Sequence, residues 1–284
     1  MKTLRELLRD GRFSFGASVL FILVVLVLLS LFSPYGPIDW YVVPSNMPPS
    51  WEYLLGTNSM GQDVFWQLTF AVRNSVVVAL LAAAISRVIA VTMGLMAGYY
   101  GGIVERVLMS ISDGFMVLPI FMILVLLSLL AREYMTLLNL GLMFGVVGWA
   151  WDTRLIRSQI LSLREREFTY TAILSATPTR KLIFNEYIPF IIPLALATLL
   201  NNMVWVIGME ITLTIIGVTN LAVPTLGTML RWAITRHAML LGYWWWLFAP
   251  IGATIALLVA LYLLSVSVSV YLDPRARSQR VGVR

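Results

Sequence analysis

Residues 13–32 read FSFGASVLFILVVLVLLSLF, without one Asp, Glu, Lys or Arg. An α-helix rises about 1.5 Å per residue, so about 20 apolar residues cross the ~30 Å hydrocarbon layer of a bilayer. Lys2, Arg5, Arg9 and Arg12 precede this stretch, and Ser33-Pro34-Tyr35-Gly36-Pro37 closes it. It is long for the core of a cleaved signal peptide and lacks an Ala-x-Ala-like site. The expectation is a retained first transmembrane helix over 13–33. Composition extends that reading to the whole chain, because 60% of the 284 residues are hydrophobic and only 12% are charged. Soluble domains carry roughly 25% charged residues, and one of this size has nowhere to bury so much apolar surface.

Working outward, Pro34, Pro37, Pro44, Pro48 and Pro49 break up a polar stretch over 34–70, expected to be an external loop. Further spans are expected over 71–98, 107–130, 137–151, 187–217 and 243–272, with a long polar stretch over 152–186. The predicted fold is an all-α integral membrane protein of six transmembrane helices. It has a five-helix core over 71–272 and tails over 1–12 and 273–284. Arg106, Arg154, Arg157, Arg164, Arg166, Arg180, Lys181, Arg275, Arg277, Arg280 and Arg284 fall on the same side as the basic N-terminus. Only Arg132, Arg231 and Arg236 fall on the other side, where the first loop carries the acids Asp39, Glu52 and Asp63. The excess of Lys and Arg marks the cytoplasmic side, so both termini are expected there and the net charge of +6 needs no nucleic acid to explain it. Trp40, Trp51, Trp66 and the run Tyr243-Trp244-Trp245-Trp246 read as an aromatic belt.

Several chemistries drop out. With no cysteine and a single histidine, His237, disulfides and Cys- or His-based metal clusters are excluded. A phosphate-binding Walker loop needs glycines followed by Lys-Ser/Thr. The only lysines, Lys2 and Lys181, do not follow a glycine. Ion-driven carriers place ionisable groups inside the membrane. The candidates are Arg73, Arg87, Asp113 and Glu210, of which Arg87 and Glu210 lie deepest and are expected to face the bundle interior or a partner. Asn201, Asn202, Thr212 and Thr214 on the fifth span suit a translocation path and helix–helix hydrogen bonds equally well. The series Ala82, Ser86, Ala90, Gly94, Gly98 lets another backbone approach closely. An ion-coupled secondary carrier or channel using Arg87, Asp113 and Glu210 is the alternative to a carrier driven by a partner.

The stretch 152–186 is longer than two antiparallel spans need. Arg164-Glu165-Arg166-Glu167 leads into a short helix over 168–174, ended near Thr177-Pro178, and a second helix runs from Thr179 toward Pro189. Joined firmly to two spans, such a helix–turn–helix can convert a push from a soluble partner into helix motion. An ordinary amphipathic surface loop fits the same residues on physics alone.

Here a resemblance enters. Glu167-Phe168-Thr169-Tyr170-Thr171-Ala172, Ala176 and Tyr187-Ile188-Pro189 resemble the EAA loop of ABC importer permeases. Arg154 to Glu167 resembles the C-type subunit of the dipeptide/oligopeptide branch. So do Leu55-Gly56-Thr57-Asn58-Ser59-Met60-Gly61-Gln62-Asp63-Val64, the glycine-rich Gly94 to Gly102, Pro224-Thr225-Leu226-Gly227 and the tail Leu272-Asp273-Pro274-Arg275. The family usually has Glu-Ala-Ala where this chain has Tyr170-Thr171-Ala172, and glycine at Ala176. Glycine would permit a turn with positive φ; here Pro178 is expected to set the turn instead.

The resemblance implies a non-catalytic permease in the cell (inner) membrane that pairs with a similar second permease. It also implies two cytoplasmic ATPase subunits binding ATP and Mg, an extracytoplasmic substrate-binding protein, and no cofactor in this chain. Peptides or similar small solutes, oligosaccharides among them, would be the cargo. Glu167, Phe168, Tyr170, Thr171, Ala172, Ala176 and Pro178 would couple to an ATPase subunit, with Phe168 and Tyr170 as apolar anchors.

Overall fold

In the computed structural model of the chain, residues 10–219 and 222–272 are described. The basic residues up to Arg9 and the tail over 273–284 lie outside them. The described residues hold helices and one isolated antiparallel bridge, Thr57 to Asp63.

Helix α1 (Gly11–Leu29) starts where the Asp10 carboxylate accepts the Arg12 amide at 3.0 Å, and it ends in a 3₁₀ turn over Ser30–Phe32. It packs mainly on the last helix, α11 (Trp244–Leu272). Between them in sequence, the proline-rich stretch folds back on itself: the Tyr41 amide donates to the Met60 carbonyl at 2.8 Å, and Thr57 Oγ1 donates to the Pro44 carbonyl at 2.6 Å. Trp245 Nε1 donates to the Thr57 carbonyl at 3.1 Å and ties the loop to α11.

Helix α2 (Val64–Tyr100) is 37 residues long, about 55 Å. It begins seven residues before the expected 71, because Asp63 accepts the Phe65 amide at 2.8 Å and caps it. Burial pushes the Asp63 carboxyl above its usual range, against the downward pull of the Phe65 and Trp66 amides. The glycine-rich Gly94 to Gly102 lies mostly in this helix; the turn comes only at Gly101 and Gly102, both with positive φ.

The expected third span, 107–130, is two helices. α3 (Gly102–Val117) and α4 (Ile120–Leu130) meet at a 79° bend. Pro119 has no amide hydrogen to continue α3, and its ring holds Leu118 extended at ψ 141°. The expected fourth span is also divided, into α5 (Leu137–Val147) and α6 (Ala150–Arg164), with a break at Gly148-Trp149. Most of the expected polar connection is therefore helical, and its non-helical part begins only after Arg164.

α7 (Glu167–Leu174) and α8 (Thr179–Leu182) follow, and a π-turn over Ile183–Tyr187 joins α8 to α9 (Ile188–Ile216). Helix α10 (Leu226–Thr235) lies between the spans expected over 187–217 and 243–272, where no helix was expected. It is held by a capping box in which Thr225 and Thr228 each bond the other's backbone. That box ordinarily carries Glu or Gln at its fourth position, so threonine there hid the helix. Among the described residues, four helical runs, over 11–32, 64–100, 179–216 and 244–270, are long and apolar enough to cross a membrane, and the bent pair α3–α4 makes a fifth if it is taken as one span.

α2 is the centre of the bundle, packed against α5, α6 and α9. Its small-residue series is buried throughout. A Cβ on Gly94 would lie 2.8 Å from the Thr153 carbonyl, and one on Gly98 would lie 2.6 Å from Ile160 Cβ. Glycine is required there because the two backbones approach within contact. Gly98→Ala is therefore expected to lower the thermal stability of the purified protein by about 1–3 kcal/mol through overpacking. An unchanged melting temperature for Gly98→Ala would overturn the packing argument.

Candidate functional site

The segment from Arg164 to Phe190 is anchored at both ends. Arg164 Nη1 donates to the Gly98 carbonyl at 3.0 Å, tying the end of α6 to α2. Buried Thr169 donates its hydroxyl to the Leu163 carbonyl at 2.8 Å and meets the Tyr187 hydroxyl at 3.3 Å. Phe168 is turned inward, stacked on Phe190 with ring centroids 5.8 Å apart and edge-on to Tyr187. Phe168 was expected, with Tyr170, to be an apolar anchor for a partner; in the structure its ring is half-buried and secures α7 to α9. The opposite side of α7 presents Tyr170, Ile173 and Leu174, exposed by 57%, 62% and 87%. Ile173 and Leu174 were not singled out from sequence. Glu167 opens the helix, and its carbonyl accepts the Thr171 hydroxyl at 3.0 Å. Ala172 is half-buried.

The turn after α7 corrects a further expectation. Ala176 itself takes a left-handed φ of 51°. Its amide donates to the Ile173 carbonyl, and that of Thr177 donates to the Ala172 carbonyl, both at 3.0 Å. This is a Schellman closure with alanine where glycine is usual. Pro178 does not make the turn; it stands at the start of α8.

The interior polar residues separate into distinct groups. Arg87 on α2 is 7% exposed and its Nη2 lies 2.9 Å from Asp152 Oδ2 on α6, while its Nε and Nη1 find no hydrogen-bond partner. Arg87 thus faces the bundle interior, as expected. Its partner was not picked out, because Asp152 read as the first residue of a loop. Asp113 accepts from Arg154 Nε at 3.0 Å, and Glu105 from Arg157 Nε at 2.7 Å, in pairs that join α3 to α6 nearer the surface. Glu210 Oε1 accepts the Thr225 hydroxyl at 2.6 Å and the Thr214 hydroxyl at 3.1 Å. It fixes the start of α10 over α9, next to the bond from Asn74 Nδ2 to the Pro224 carbonyl at 2.7 Å. Arg87, Asp113 and Glu210 thus have separate partners and form no mutual chain of hydrogen bonds. Asn201 and Asn202 line a cavity of about 350 Å³ beside the α5–α6 break. Among the described residues no group of His, Cys, Asp and Glu could hold a metal ion.

Residues 90–278 match the family described as the binding-protein-dependent transport system inner membrane component. The chain belongs to that family. It is 28% identical over 270 residues to the oligopeptide transport system permease protein OppC of Mycobacterium tuberculosis strain H37Rv, covering 94% of this chain and 91% of that protein. It is 26% identical to the dipeptide transport system permease protein DppC of Bacillus subtilis strain 168, covering 91% and 80%. Lactococcus lactis subsp. lactis OppC is 27% identical, covering 87% and 85%. The matched region takes in the anchored α7 together with Asp113, Asp152, Asn201, Asn202 and Glu210, while Arg87 lies just before it.

Two outcomes are expected. Removing one partner of the buried pair, by Arg87→Met or Asp152→Leu, strands a charge and should cost about 3–5 kcal/mol of stability. The double variant should melt much closer to the parent, and equal losses in all three would contradict the pairing. Ala176→Gly should relieve about 1–2 kcal/mol of left-handed strain, offset by about 0.4–1 kcal/mol of added freedom in the unfolded chain. Hydrogen exchange in α7 should accordingly slow, and faster exchange would count against a strained turn.

Proposed function

We propose that this chain is the C-type permease subunit of an ABC importer of oligopeptides or dipeptides. The anchored helix α7, which presents Tyr170, Ile173 and Leu174 to the outside, is the observation that carries the reading. Large apolar side chains at the tip of a short helix between two membrane elements suit the groove of a partner. The family and the near full-length similarity to oligopeptide and dipeptide permeases point to what that partner is.

In this reading the chain crosses the inner membrane six times, with both termini cytoplasmic. The spans are α1, α2, the bent pair α3–α4, the broken pair α5–α6, the run α8–α9, and α11. The α6–α9 connection, rich in Arg and Lys, is the cytoplasmic coupling loop. Two ATPase subunits bind ATP and Mg, and one of them takes α7 in a groove. A second, similar permease completes the translocation path, and an extracytoplasmic binding protein delivers a peptide or a similar small solute. Glu167 stabilises the N-terminus of α7 through the helix dipole. Thr171, Ala172 and Ala176 shape the end of the helix that enters the groove, and Pro178 starts the helix that follows it.

A push on α7 has two routes inward. Thr169 and Leu163 pass it to α6, and Phe168, Tyr187 and Phe190 pass it to α9. Closure of the ATPase pair on ATP can shift the permease only by as much as it binds one conformation better than the other. The separate pairing of Arg87, Asp113 and Glu210 favours this partner-driven scheme over an ion relay within the chain.

In the complete transporter reconstituted in liposomes, Ile173→Ala with Leu174→Ala should cut ATP-dependent uptake about tenfold or more while the ATPase subunits still hydrolyse ATP. Phe168→Ala should instead lower the stability of the permease. Full coupled uptake by the Ile173/Leu174 double variant would overturn the docking assignment. Ion-gradient-driven uptake by the chain alone would overturn the importer.

A further inference from the structure

The break between α5 and α6 creates a polar notch in an otherwise apolar wall. Helix α5 stops at Val147, and the Gly148 carbonyl is taken up by two side chains, Ser86 Oγ at 3.0 Å and Asn202 Nδ2 at 3.2 Å. That second bond fixes the orientation of the Asn202 amide, since only its nitrogen can donate to a carbonyl. Its oxygen is left over: Asn202 is 9% exposed, and Oδ1 is buried with no hydrogen-bond partner. Asp152, also 9% exposed, shares the same cavity, with Oδ2 engaged by Arg87. The remaining walls include Met116, Met209 and Trp205, and Asn201 stands at the more open side. At about 350 Å³ the space falls within the usual ~300–1,000 Å³ range of small-ligand pockets.

We propose that this cavity is a transit subsite for the hydrogen-bond donors of a peptide, its backbone N–H groups or terminal ammonium. Asn202 Oδ1 and the Asp152 carboxylate are the acceptors. The inference rests on reading the chain as a peptide importer permease and adds the place and chemistry of contact. A buried acceptor with no hydrogen-bond partner in the protein is left unsatisfied, and an arriving N–H supplies the missing bond. Asp152 beside it favours a donor or cation and repels the carboxylate end of a peptide. Arg87 is held behind Asp152 and balances its charge, so attraction for the donor stays modest. The walls suit varied side chains, because methionine is unbranched and polarizable and adapts to different shapes. One free acceptor in an adaptable apolar chamber holds a peptide loosely, as conduction requires, since a tightly bound solute does not leave.

The absence of cysteine in this chain allows a direct test. Asn201→Cys places a single thiol in it, and modification by a cationic methanethiosulfonate reagent is followed on this chain by mass spectrometry. The complete transporter is used in liposomes, with ATP and binding protein. The probe is an equimolar mixture of trialanine, trileucine and triserine, and maltotriose serves as a second probe with hydroxyl donors and no N–H. The expected result is modification slowed at least threefold by the tripeptides and not by maltotriose. Asn202→Leu should also lower tripeptide uptake about tenfold. If Asn202→Leu fails to assemble, the Asn201→Cys result decides, because it retains Asn202. Tripeptide import with no protection of the thiol would overturn the subsite and leave the importer standing. Protection by maltotriose alone would overturn its peptide chemistry. No tripeptide import by the unaltered complex would overturn the peptide-importer reading and the subsite with it.

Discussion

Contact between the backbones of α2 and α6 is the constraint on which the other arrangements depend. Side chains on Gly94 or Gly98 would overlap Thr153, Ile156 and Ile160, so the two helices lie as close as polypeptides can. In lipid, where apolar side chains gain little by leaving the solvent, such close packing is a main source of helix association. It also brings polar groups into range that larger residues would have kept apart. Arg164 reaches the Gly98 carbonyl, Ser86 reaches the Gly148 carbonyl and Arg87 reaches Asp152. The small-residue series thus sets both the packing of the core and the place of its charges.

Those charges would otherwise be unfavourable in the membrane. An arginine at mid-membrane costs roughly 2.5–3.5 kcal/mol on the translocon scale, and Asp152 lowers that cost by pairing with Arg87 inside the bundle. The pairing is partial: two of the guanidinium nitrogens remain without partners. The break at Gly148 is linked to the same region, since its carbonyl leaves the helical ladder and is satisfied by Ser86 and Asn202. Interior polarity is thereby concentrated at one level of the bundle. Glu210 belongs to a different level, where it fixes α10 through Thr225.

Hydropathy made the long helices legible, because α1, α9 and α11 are continuous apolar runs of nearly uniform character. What it could not show were breaks within apolar sequence. Pro119 divides one expected span, but a proline inside a span is tolerated elsewhere in this chain: Pro193 and Pro250 lie within intact helices. The outcome at Pro119 depends on the packing around it. Helix α10 escaped notice because its cap is threonine at both ends of the box. In the candidate site, the short helix after Glu167 was legible from its sequence, and its exposed side was not. Phe168 and Tyr170 are two residues apart and about 200° around the helix, so they face opposite ways, and it took Tyr187 and Phe190 to show which turned inward. Asp152 was hidden by its place at the end of an apolar run, where a charge reads as the beginning of a loop.

Helix α6 joins the two functional regions. It is 15 residues long, about 22 Å, with Asp152 in its first turn and the Leu163 carbonyl, which holds Thr169, in its last. Between them Ile156 and Ile160 are fully buried against α2. A short, continuous helix packed along its length transmits displacement as a rigid body better than by bending. In the proposed scheme, movement imposed on α7 would reach the wall of the cavity through α6, and would reach Asn202 through α9 by way of Phe190. The two acceptors proposed to receive a peptide stand on the two helices to which α7 is fastened. A change in their separation would alter how well the cavity holds a donor, and in the proposed importer this would give an ATP-driven push a direct means of weakening or strengthening the grip on the cargo.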